Sequence, residues 1–350
     1  MIKTCVAVTL LLGATVGASA MSDNDIPMEA VDDAVMAGAD EVKAMQDWAA
    51  SLGGKTAGPL PFKNDAPFSF TYGGKPSAKL LEDWSRTTES RQLSDRVEHR
   101  VQWTDPNSGL QVLLVAGAFK RFPAVDWVIY IENHGDKDSP IIENIQALDL
   151  SFGDDDPKEA VILHHLNGDN AGETAFQPKD SPIEPGKSLR LAPNGGRPAC
   201  TSAFPFFNLT YGNGGAIIAI GWTGQWAATF DRSASGQTRI MAGMEKTRLL
   251  LHPGERIRTP RILLMPWKGD RQAAHNRWRR LLLFHYVPRL DGRPARLPVA
   301  LQTYDRYNAR PGWATEKGQI EYARFAREIG ADTLWLDAAW FPGNFPNGVG

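Results

Sequence analysis

The chain is poor in cysteine, which limits covalent cross-links and thiolate chemistry. It has two cysteines in 350 residues, and Cys5 lies in a segment that we expect to be removed. Cys200 then stands alone, so no internal disulfide can form. A small core residue is the favoured interpretation of Cys200, over a catalytic or metal-binding thiol. No spacing of His, Cys or Asp matches a structural zinc site either.

The chain also lacks an excess of basic residues. Its formal net charge is −2 at pH 7, and no basic stripe interleaved with aromatic side chains runs along it. Both properties argue against a general nucleic-acid-binding protein. Its eleven tryptophans favour a carbohydrate ligand slightly, because Trp faces stack on sugar rings, although Trp is also a common core residue.

No apolar run is long enough to span a bilayer once processing is considered. The short run over residues 6–16 follows Lys3 and precedes an Ala-x-Ala motif that ends at Ala20. A positive start, a short apolar stretch and small residues at the cleavage point are the parts of a secretory signal. We therefore predict a signal peptide over residues 1–20, no membrane span and a secreted or periplasmic protein.

The remaining sequence changes its pattern three times. Residues 21–58 combine an amphipathic helical pattern with polar residues, and a polar spacer is the favoured interpretation. Residues 59–266 contain about ten to fourteen short strand patterns separated by turn signals, which predicts a large β-sandwich. Residues 267–297 contain a basic connecting helix and a proline-rich linker. Residues 298–350 have an α/β pattern.

The α/β segment predicts one strand, one helix and a second, parallel strand. Thr315 suits the N-cap of the helix, and Gly330 stands where a helix C-terminus favours glycine. The loop after the first strand has ten residues and no Gly-x-Gly-x-x-Gly motif, which disfavours a dinucleotide-binding fold. We therefore expect the start of a (β/α)8 TIM barrel, truncated in this chain.

Both predicted strands of this segment end beside a carboxylate and an aromatic side chain. Tyr304 and Asp305 follow the first strand, and Asp337 ends the second, with Trp340 close behind. Barrel enzymes place their chemistry at such strand ends. Asp305 and Asp337 formally suit the carboxylate spacing of glycosidases, which is about 5–5.5 Å for retention or about 6.5–9.5 Å for inversion. A barrel has six more strand ends, so we do not assign Asp305 and Asp337 as the catalytic pair. We predict instead that these four residues bind substrate. A loop-capping role for Asp337 stays open.

Three further sequence features attract attention in the strand-rich segment. Glycines beside Arg and Trp, in residues 194–198 and 221–226, suit a wall at a barrel mouth, although tight hairpins with packed aromatics are the commoner cause. Asn208 begins a glycosylation sequon, a motif that is frequent by chance. His164 and His165 are adjacent, so in a strand they point to opposite faces and make a poor ligand pair.

Several segments of residues 69–350 together form a recognisable pattern. They are residues 122–127 (Phe-Pro-Ala-Val-Asp-Trp), residues 164–168 (His-His-Leu-Asn-Gly), residues 195–198 with 204–207, residues 221–226 and residues 336–341. Taken in order, these segments resemble glycoside hydrolase family 36 α-galactosidases of the melibiase clan. The resemblance implies a β-supersandwich followed by a (β/α)8 barrel, of which this chain is the N-terminal half. It also implies a retaining exo-α-galactosidase without metal or organic cofactor, whose two catalytic Asp residues lie beyond Gly350.

The second strand departs from the family pattern at one informative position. The family often has Leu-Asp-Asp-Gly-Trp-Phe there, and its two acids grip galactose hydroxyls. Asp337 and Trp340 match, but Ala338 stands where the second Asp would be. The missing carboxylate removes a charge-assisted hydrogen bond worth about 1.5–3 kcal/mol. Tyr304 also replaces the Trp of many relatives, so the identity of the sugar is open.

Together these features predict an α-glycosidase that acts on an oligo- or polysaccharide, with hydrolysis of terminal α-galactosides as the first expectation. An α-N-acetylgalactosaminidase, a raffinose-synthase-like transglycosylase and a non-catalytic carbohydrate-binding sandwich are the alternatives. No nucleic-acid partner is expected, and a homo-oligomer is left open. We expect residues 1–350 alone to be inactive and to aggregate, because one βαβ unit leaves open strand edges.

Overall fold

A computed structural model describes residues 38–52, 66–153, 156–303 and 314–336. The chain divides into two compact units, named here the sandwich unit (Met1–Leu281) and the C-terminal unit (Leu282–Gly350). The predicted signal peptide lies outside the described residues. No helix in the described ranges is both long and apolar enough to cross a membrane. The described helices are α1 (Ala39–Ser51), α2 (Ser77–Asp83), α3 (Arg271–His285) and α4 (Glu316–Glu328).

The sandwich unit consists mainly of antiparallel strands, arranged in two sheets. One sheet has the order β10-β13-β14-β7-β1-β2, with β15 beside β7. The other has the order β3-β4-β5-β6-β17-β12-β11-β8-β9, with β16 beside β6. The predicted β-sandwich is therefore confirmed. Its strands are β1 (Ser69–Tyr72), β2 (Lys75–Pro76), β3 (Ser85–Gln92), β4 (Arg96–Thr104), β5 (Leu110–Phe119), β6 (Val125–Asn133), β7 (Ile142–Phe152), β8 (Val161–Leu166), β9 (Pro178–Pro182), β10 (Ser188–Leu191), β11 (Phe206–Tyr211), β12 (Gly214–Gly221), β13 (Trp226–Arg232), β14 (Thr238–Met244), β15 (Arg248–Leu249), β16 (Arg256–Arg258) and β17 (Arg261–Lys268).

The core lies between the two sheets, and Trp127 joins them. Strands β5 and β6 alternate large apolar residues with a two-residue period, so one face of each strand enters the core. The Trp127 side chain on β6 is fully buried, and its Nε1 donates a hydrogen bond of 2.8 Å to the carbonyl of Ala147 on β7. A buried indole N–H needs such a partner. The bond therefore fixes one sheet against the other.

Helix α1 belongs to this core and is not a spacer. Met45, Trp48 and Ala49 are almost completely buried, and the Trp48 ring meets the Trp127 ring edge-on at 5.9 Å. The interpretation of residues 21–58 as a polar spacer is therefore wrong for the described part of this segment. The sequence pattern misled because the partners of Trp48 are far away along the chain.

Helix α3 packs against β11 of the larger sheet. Asp270 caps its N-terminus, since its carboxylate accepts hydrogen bonds from the amides of Gln272 and Ala273 at 3.1 and 3.0 Å. The Trp278 ring packs edge-on against the Phe206 ring of β11 at 5.8 Å. The basic helix predicted within residues 267–297 is thus a packing element on the sandwich.

The C-terminal unit contains a β-hairpin and a parallel βαβ unit. The hairpin strands are β18 (Arg289–Leu290) and β19 (Arg293–Pro294), and the parallel pair is β20 (Ala300–Gln302) with β21 (Thr333–Trp335). The predicted N-cap is confirmed, because Thr315 Oγ1 accepts a hydrogen bond from Gly318 N at 3.2 Å. Gly330 has φ +79° at the C-terminus of α4, which matches the predicted glycine position.

Candidate functional site

Strands β20 and β21 bring the two predicted strand ends to one edge. Leu301 pairs with Leu334 and Gln302 with Trp335 in the parallel register. The ladder continues past the end of β20, because Thr303 N donates a hydrogen bond of 3.0 Å to the Trp335 carbonyl. Side chains that follow directly on these two strands therefore start from neighbouring positions, about 4.8 Å apart.

The four predicted site residues lie outside the described residues. Tyr304 and Asp305 follow Thr303, and Asp337 follows Leu336 in the sequence, with Trp340 further on. The structure thus places the strands that lead to the site, and substrate binding by these four side chains stays a prediction. The formal pairing of Asp305 with Asp337 as two glycosidase carboxylates likewise stays a prediction.

The opposite end of the βαβ unit is organised by Asp332. Its Oδ1 accepts hydrogen bonds from Val299 N at 3.0 Å and from Thr333 Oγ1 at 2.9 Å. Its Oδ2 lies 3.3 Å from Nη2 of Arg296. These bonds tie the amino ends of both strands together. Because both of its carboxylate oxygens are engaged in these contacts, Asp332 has a structural role.

The two glycine-rich segments of the sandwich are neighbours in space. Trp226 Nε1 donates a hydrogen bond to the Pro198 carbonyl at 2.6 Å, and Gln225 Nε2 donates one to the Pro193 carbonyl at 2.7 Å. Trp226 is fully buried, so it packs the core rather than facing a ligand. Cys200 is also buried and free, in line with the small core residue that the sequence favoured.

An aromatic row on the same side of the sandwich ends at the surface. The rings of Phe176, Phe204 and Phe206 follow each other at 5.7 and 5.0 Å. Phe176 is 47% exposed and has φ +55°, a left-handed conformation that is costly for a bulky residue. No local pattern predicts this exposed ring, because Phe176 lies in an irregular loop.

The two adjacent histidines point to opposite faces, as their spacing predicts. His164 Nε2 lies 3.0 Å from Thr210 Oγ1, and its Nδ1 lies 2.5 Å from Asp180 Oδ1. His165 Nε2 instead contacts Ser181 Oγ at 2.9 Å. Burial lowers the pKa of His165 below its ordinary value. The pair therefore serves the packing of β8 and cannot bind one ligand together.

The asparagine of the glycosylation sequon is buried in the fold. Asn208 is 5% exposed on β11. Its Oδ1 accepts a hydrogen bond from Trp267 Nε1 at 2.9 Å, and its Nδ2 contacts His275 Nε2 at 2.9 Å. Both ends of the amide are thus engaged, so the folded chain does not present Asn208 for modification. This chance motif is a structural asparagine.

Comparison with known families agrees with this architecture. Residues 79–250 match the Glycosyl hydrolase family 36 N-terminal domain. Over this range the chain is similar to the N-terminal domain of glycosyl hydrolase family 36. The matched range, here called the family 36 domain, includes most of α2 and the strands from β3 to β15, and the resemblance drawn from the sequence motifs is confirmed.

Solved structures show the same fold beyond the family 36 domain. The α-galactosidase AgaA of Geobacillus stearothermophilus is 16% identical and covers 81% of this chain, with a TM-score of 0.59. The α-galactosidase of Lactobacillus brevis is 15% identical and covers 81%, with a TM-score of 0.60. The alignments span 40% and 39% of those two chains. No curated protein sequence matches this chain.

Proposed function

We propose that this chain is the N-terminal portion of a secreted glycoside hydrolase that removes terminal α-galactosides with retention. The observation that carries the proposal is the order of the parts. A family 36 N-terminal domain in residues 79–250 is followed by a parallel βαβ unit, the repeat from which (β/α)8 barrels are built. The remaining strands and both catalytic carboxylates would come from sequence beyond Gly350.

In this proposal the strand ends of the C-terminal unit bind the sugar. Asp337 accepts hydrogen bonds from substrate hydroxyls, and Trp340 and Tyr304 line the pocket around the sugar ring. Asp305, at the neighbouring strand end, adds a second acceptor. Charge-assisted hydrogen bonds to a carboxylate are worth about 1.5–3 kcal/mol each, which is enough to orient a sugar before cleavage.

The solved relatives suggest which substrates to test first. Variants of the Geobacillus stearothermophilus AgaA enzyme have been crystallised with raffinose and with stachyose. Both are soluble sugars that can be offered directly to the complete protein. Release of galactose would support the proposal, whereas transfer of the galactosyl group to an added acceptor sugar would favour a transglycosylase.

The direct test uses the complete protein and an aryl α-galactoside. We expect Asp337→Ala to abolish turnover, because it removes a hydrogen-bond acceptor for the sugar. Asp136→Ala is the matched control, since Asp136 is an exposed aspartate in a turn of the sandwich unit, and it should leave turnover unchanged. Near-normal turnover by Asp337→Ala would contradict the assignment. Residues 1–350 alone should show no turnover.

Ala338 supports a second candidate, an α-N-acetylgalactosaminidase. Ala338 stands where the family usually has the second of two adjacent acids, so the pocket lacks one carboxylate that grips galactose hydroxyls. Parallel assays with aryl α-galactoside and aryl α-N-acetylgalactosaminide decide between the two. A higher kcat/KM for the acetylated sugar would reassign the substrate without changing the reaction class.

A further inference from the structure

The outer face of the smaller sheet holds a cavity of about 1080 Å³. It is lined by the adjacent strands β14, β7 and β1, and also by α2 and the aromatic residues Trp84 and Trp103. Ligand cavities commonly measure about 300–1,000 Å³, so this space is large enough for several sugar rings. No local sequence pattern predicts this cavity, because its lining comes from distant segments.

The sheet side of the cavity presents polar side chains in register. Ser69 pairs with Gln146, and Ser151 pairs with Arg239, across neighbouring strands. Gln237 adds a second amide to the lining. Within the described residues, the side chains of Gln146, Ser151 and Gln237 make no hydrogen bond to the protein. Amides and hydroxyls both donate and accept, which is the mixture that sugar hydroxyls require.

Asp149 and Arg239 form a fixed pair at the centre of this face. Asp149 is 2% exposed, and its two carboxylate oxygens accept hydrogen bonds from Arg239 Nε and Nη2 at 2.6 and 2.7 Å. The bonds with Asp149 raise the pKa of Arg239 above its ordinary value. A bidentate pair is rigid, so the remaining Nη1 donor of Arg239 is held ready for an acceptor in the cavity.

A β-bulge aims a further amide at the cavity. Asn144 on β7 has φ +54°, and the pairing of β1 with β7 shifts register beside it. Thr247 holds the distortion, because its Oγ1 accepts a hydrogen bond from Ile145 N at 2.8 Å and its carbonyl accepts one from Asn144 N at 3.2 Å. Bulges of this kind re-aim side chains at functional places. Asn144 is exposed and lines the cavity.

The charge of the lining selects the class of ligand. Two cations, Arg86 and Arg239, are balanced by two carboxylates, Glu82 and Asp149. We propose that this cavity is a second carbohydrate site, which binds a neutral oligosaccharide chain through hydrogen bonds and lies apart from the proposed catalytic centre. The choice of a saccharide rests in part on the proposed function. Trp84 and Trp103 are almost fully buried, so recognition depends on polar contacts rather than stacking.

The test is calorimetric titration of the full chain with neutral tetrasaccharides that contain no α-galactoside, namely maltotetraose, mannotetraose and cellotetraose. Tetragalacturonic acid serves as the charged comparison. We expect at least one neutral tetrasaccharide to bind and the acid to bind more weakly. Gln146→Ala and Arg239→Ala should each weaken the neutral ligand about tenfold, the loss of one good hydrogen bond.

Arg190→Ala is the matched control for Arg239→Ala. Arg190 lies on β10 of the same sheet and pairs with Glu245 at 2.5 Å, and the Arg190 and Arg239 side chains are 53% and 50% exposed. Arg190 does not line the cavity, so Arg190→Ala should bind the neutral tetrasaccharide with unchanged affinity. Arg239→Lys keeps the positive charge and should recover part of the affinity if Arg239 acts in binding. Gln146→Ala leaves the Asp149–Arg239 pair intact, so it tests the site even if Arg239→Ala unfolds the sheet.

Three results would overturn the proposal. They are no binding of any neutral tetrasaccharide, tighter binding of tetragalacturonic acid, and an equal loss of affinity in Arg190→Ala. None of them depends on the proposed function, because the titration needs no catalytic residue. Conversely, an inactive complete protein whose chain still binds a tetrasaccharide would reject the proposed hydrolase and keep this site.

Discussion

The sandwich unit and the C-terminal unit differ in how far their apolar side chains are covered. The sandwich unit buries Trp127, Trp226 and Phe230 completely. In the described part of the C-terminal unit, Ala326 is the one apolar side chain counted as buried, while large ones remain open: Leu290, Leu297, Val299, Ile320, Phe325, Ile329, Trp335 and Leu336 are 41–84% exposed. These side chains gain little from the hydrophobic effect, because most of their apolar surface stays in water. The difference is the one that a complete sandwich and a single βαβ unit would show.

The largest expected effect comes from a completely buried tryptophan. Trp127→Ala removes a side chain that packs on Trp48 and bonds to Ala147, and such truncations cost about 3–5 kcal/mol. Trp335→Ala is the matched change in the C-terminal unit, where the side chain is 59% exposed, and it should alter the free energy of unfolding by less than about 0.5 kcal/mol. Urea unfolding measures both. Similar losses would remove the contrast between the units.

The next largest effect is expected from the buried carboxylate of Asp126 on β6. Asp126 is 2% exposed and accepts a hydrogen bond from Arg261 Nη1 at 2.7 Å. We expect Asp126→Ala to lower the free energy of unfolding by about 1–3 kcal/mol, because it leaves its arginine partners less well satisfied.

The control for this change is an exposed ion pair in α1. Asp47→Ala breaks the pair with Lys43, whose side chains are 47% and 69% exposed, and it should cost less than about 0.5 kcal/mol. Both variants are read by urea unfolding at the same ionic strength. An Asp126→Ala variant as stable as Asp47→Ala would show that burial of this carboxylate does not matter to the sandwich.

A smaller, local effect is expected in the C-terminal unit. Asp332→Ala removes the acceptor for Val299 N and Thr333 Oγ1, which is worth about 1 kcal/mol. Amide exchange should therefore quicken in β20 and β21, with no change in β5 or β6. Asp332→Asn keeps an acceptor oxygen and should restore part of the protection. Faster exchange throughout the sandwich would show that the two units unfold together.

The smallest effect is a dependence of stability on pH. Burial lowers the pKa of His99, His165 and His275 below the ordinary value of 6.5. As the pH falls through this value, the unfolded chain binds protons that the folded chain does not, so the free energy of unfolding decreases. Above pH 6.5 these three histidines should change the free energy of unfolding little. His165→Gln should flatten the acid side of the curve in urea unfolding.

His252 gives a control of opposite sign. Its hydrogen bond with Asp138 raises its pKa, so its contribution is present below pH 6.5 and is lost as the pH rises through the raised value. His252→Gln should therefore make the acid-side loss slightly steeper. If both histidine variants changed the curve in the same direction, the assignment of these shifts would be wrong.

Local patterns were enough to predict much of the sandwich and the βαβ unit. Strand β4 alternates apolar and polar residues, and Thr315 and Gly330 carry helix-end signals. Strand β3 escaped notice because all eight of its side chains are exposed, which leaves no alternation. The pair of Asp149 with Arg239 joins residues 90 positions apart. Such contacts depend on sheet topology, so the cavity they line could not be found from the sequence.

The most direct test of the contrast is hydrogen–deuterium exchange of the full chain under native conditions, followed by mass spectrometry. Exchange reports the free energy of local opening in each segment. We predict slow exchange in β5, β6 and β7, close to the limit of global unfolding. We predict exchange faster by several orders of magnitude in β20, α4 and β21, because few apolar contacts protect them. Equal protection in both sets would contradict the contrast between a well-buried sandwich unit and an open βαβ unit.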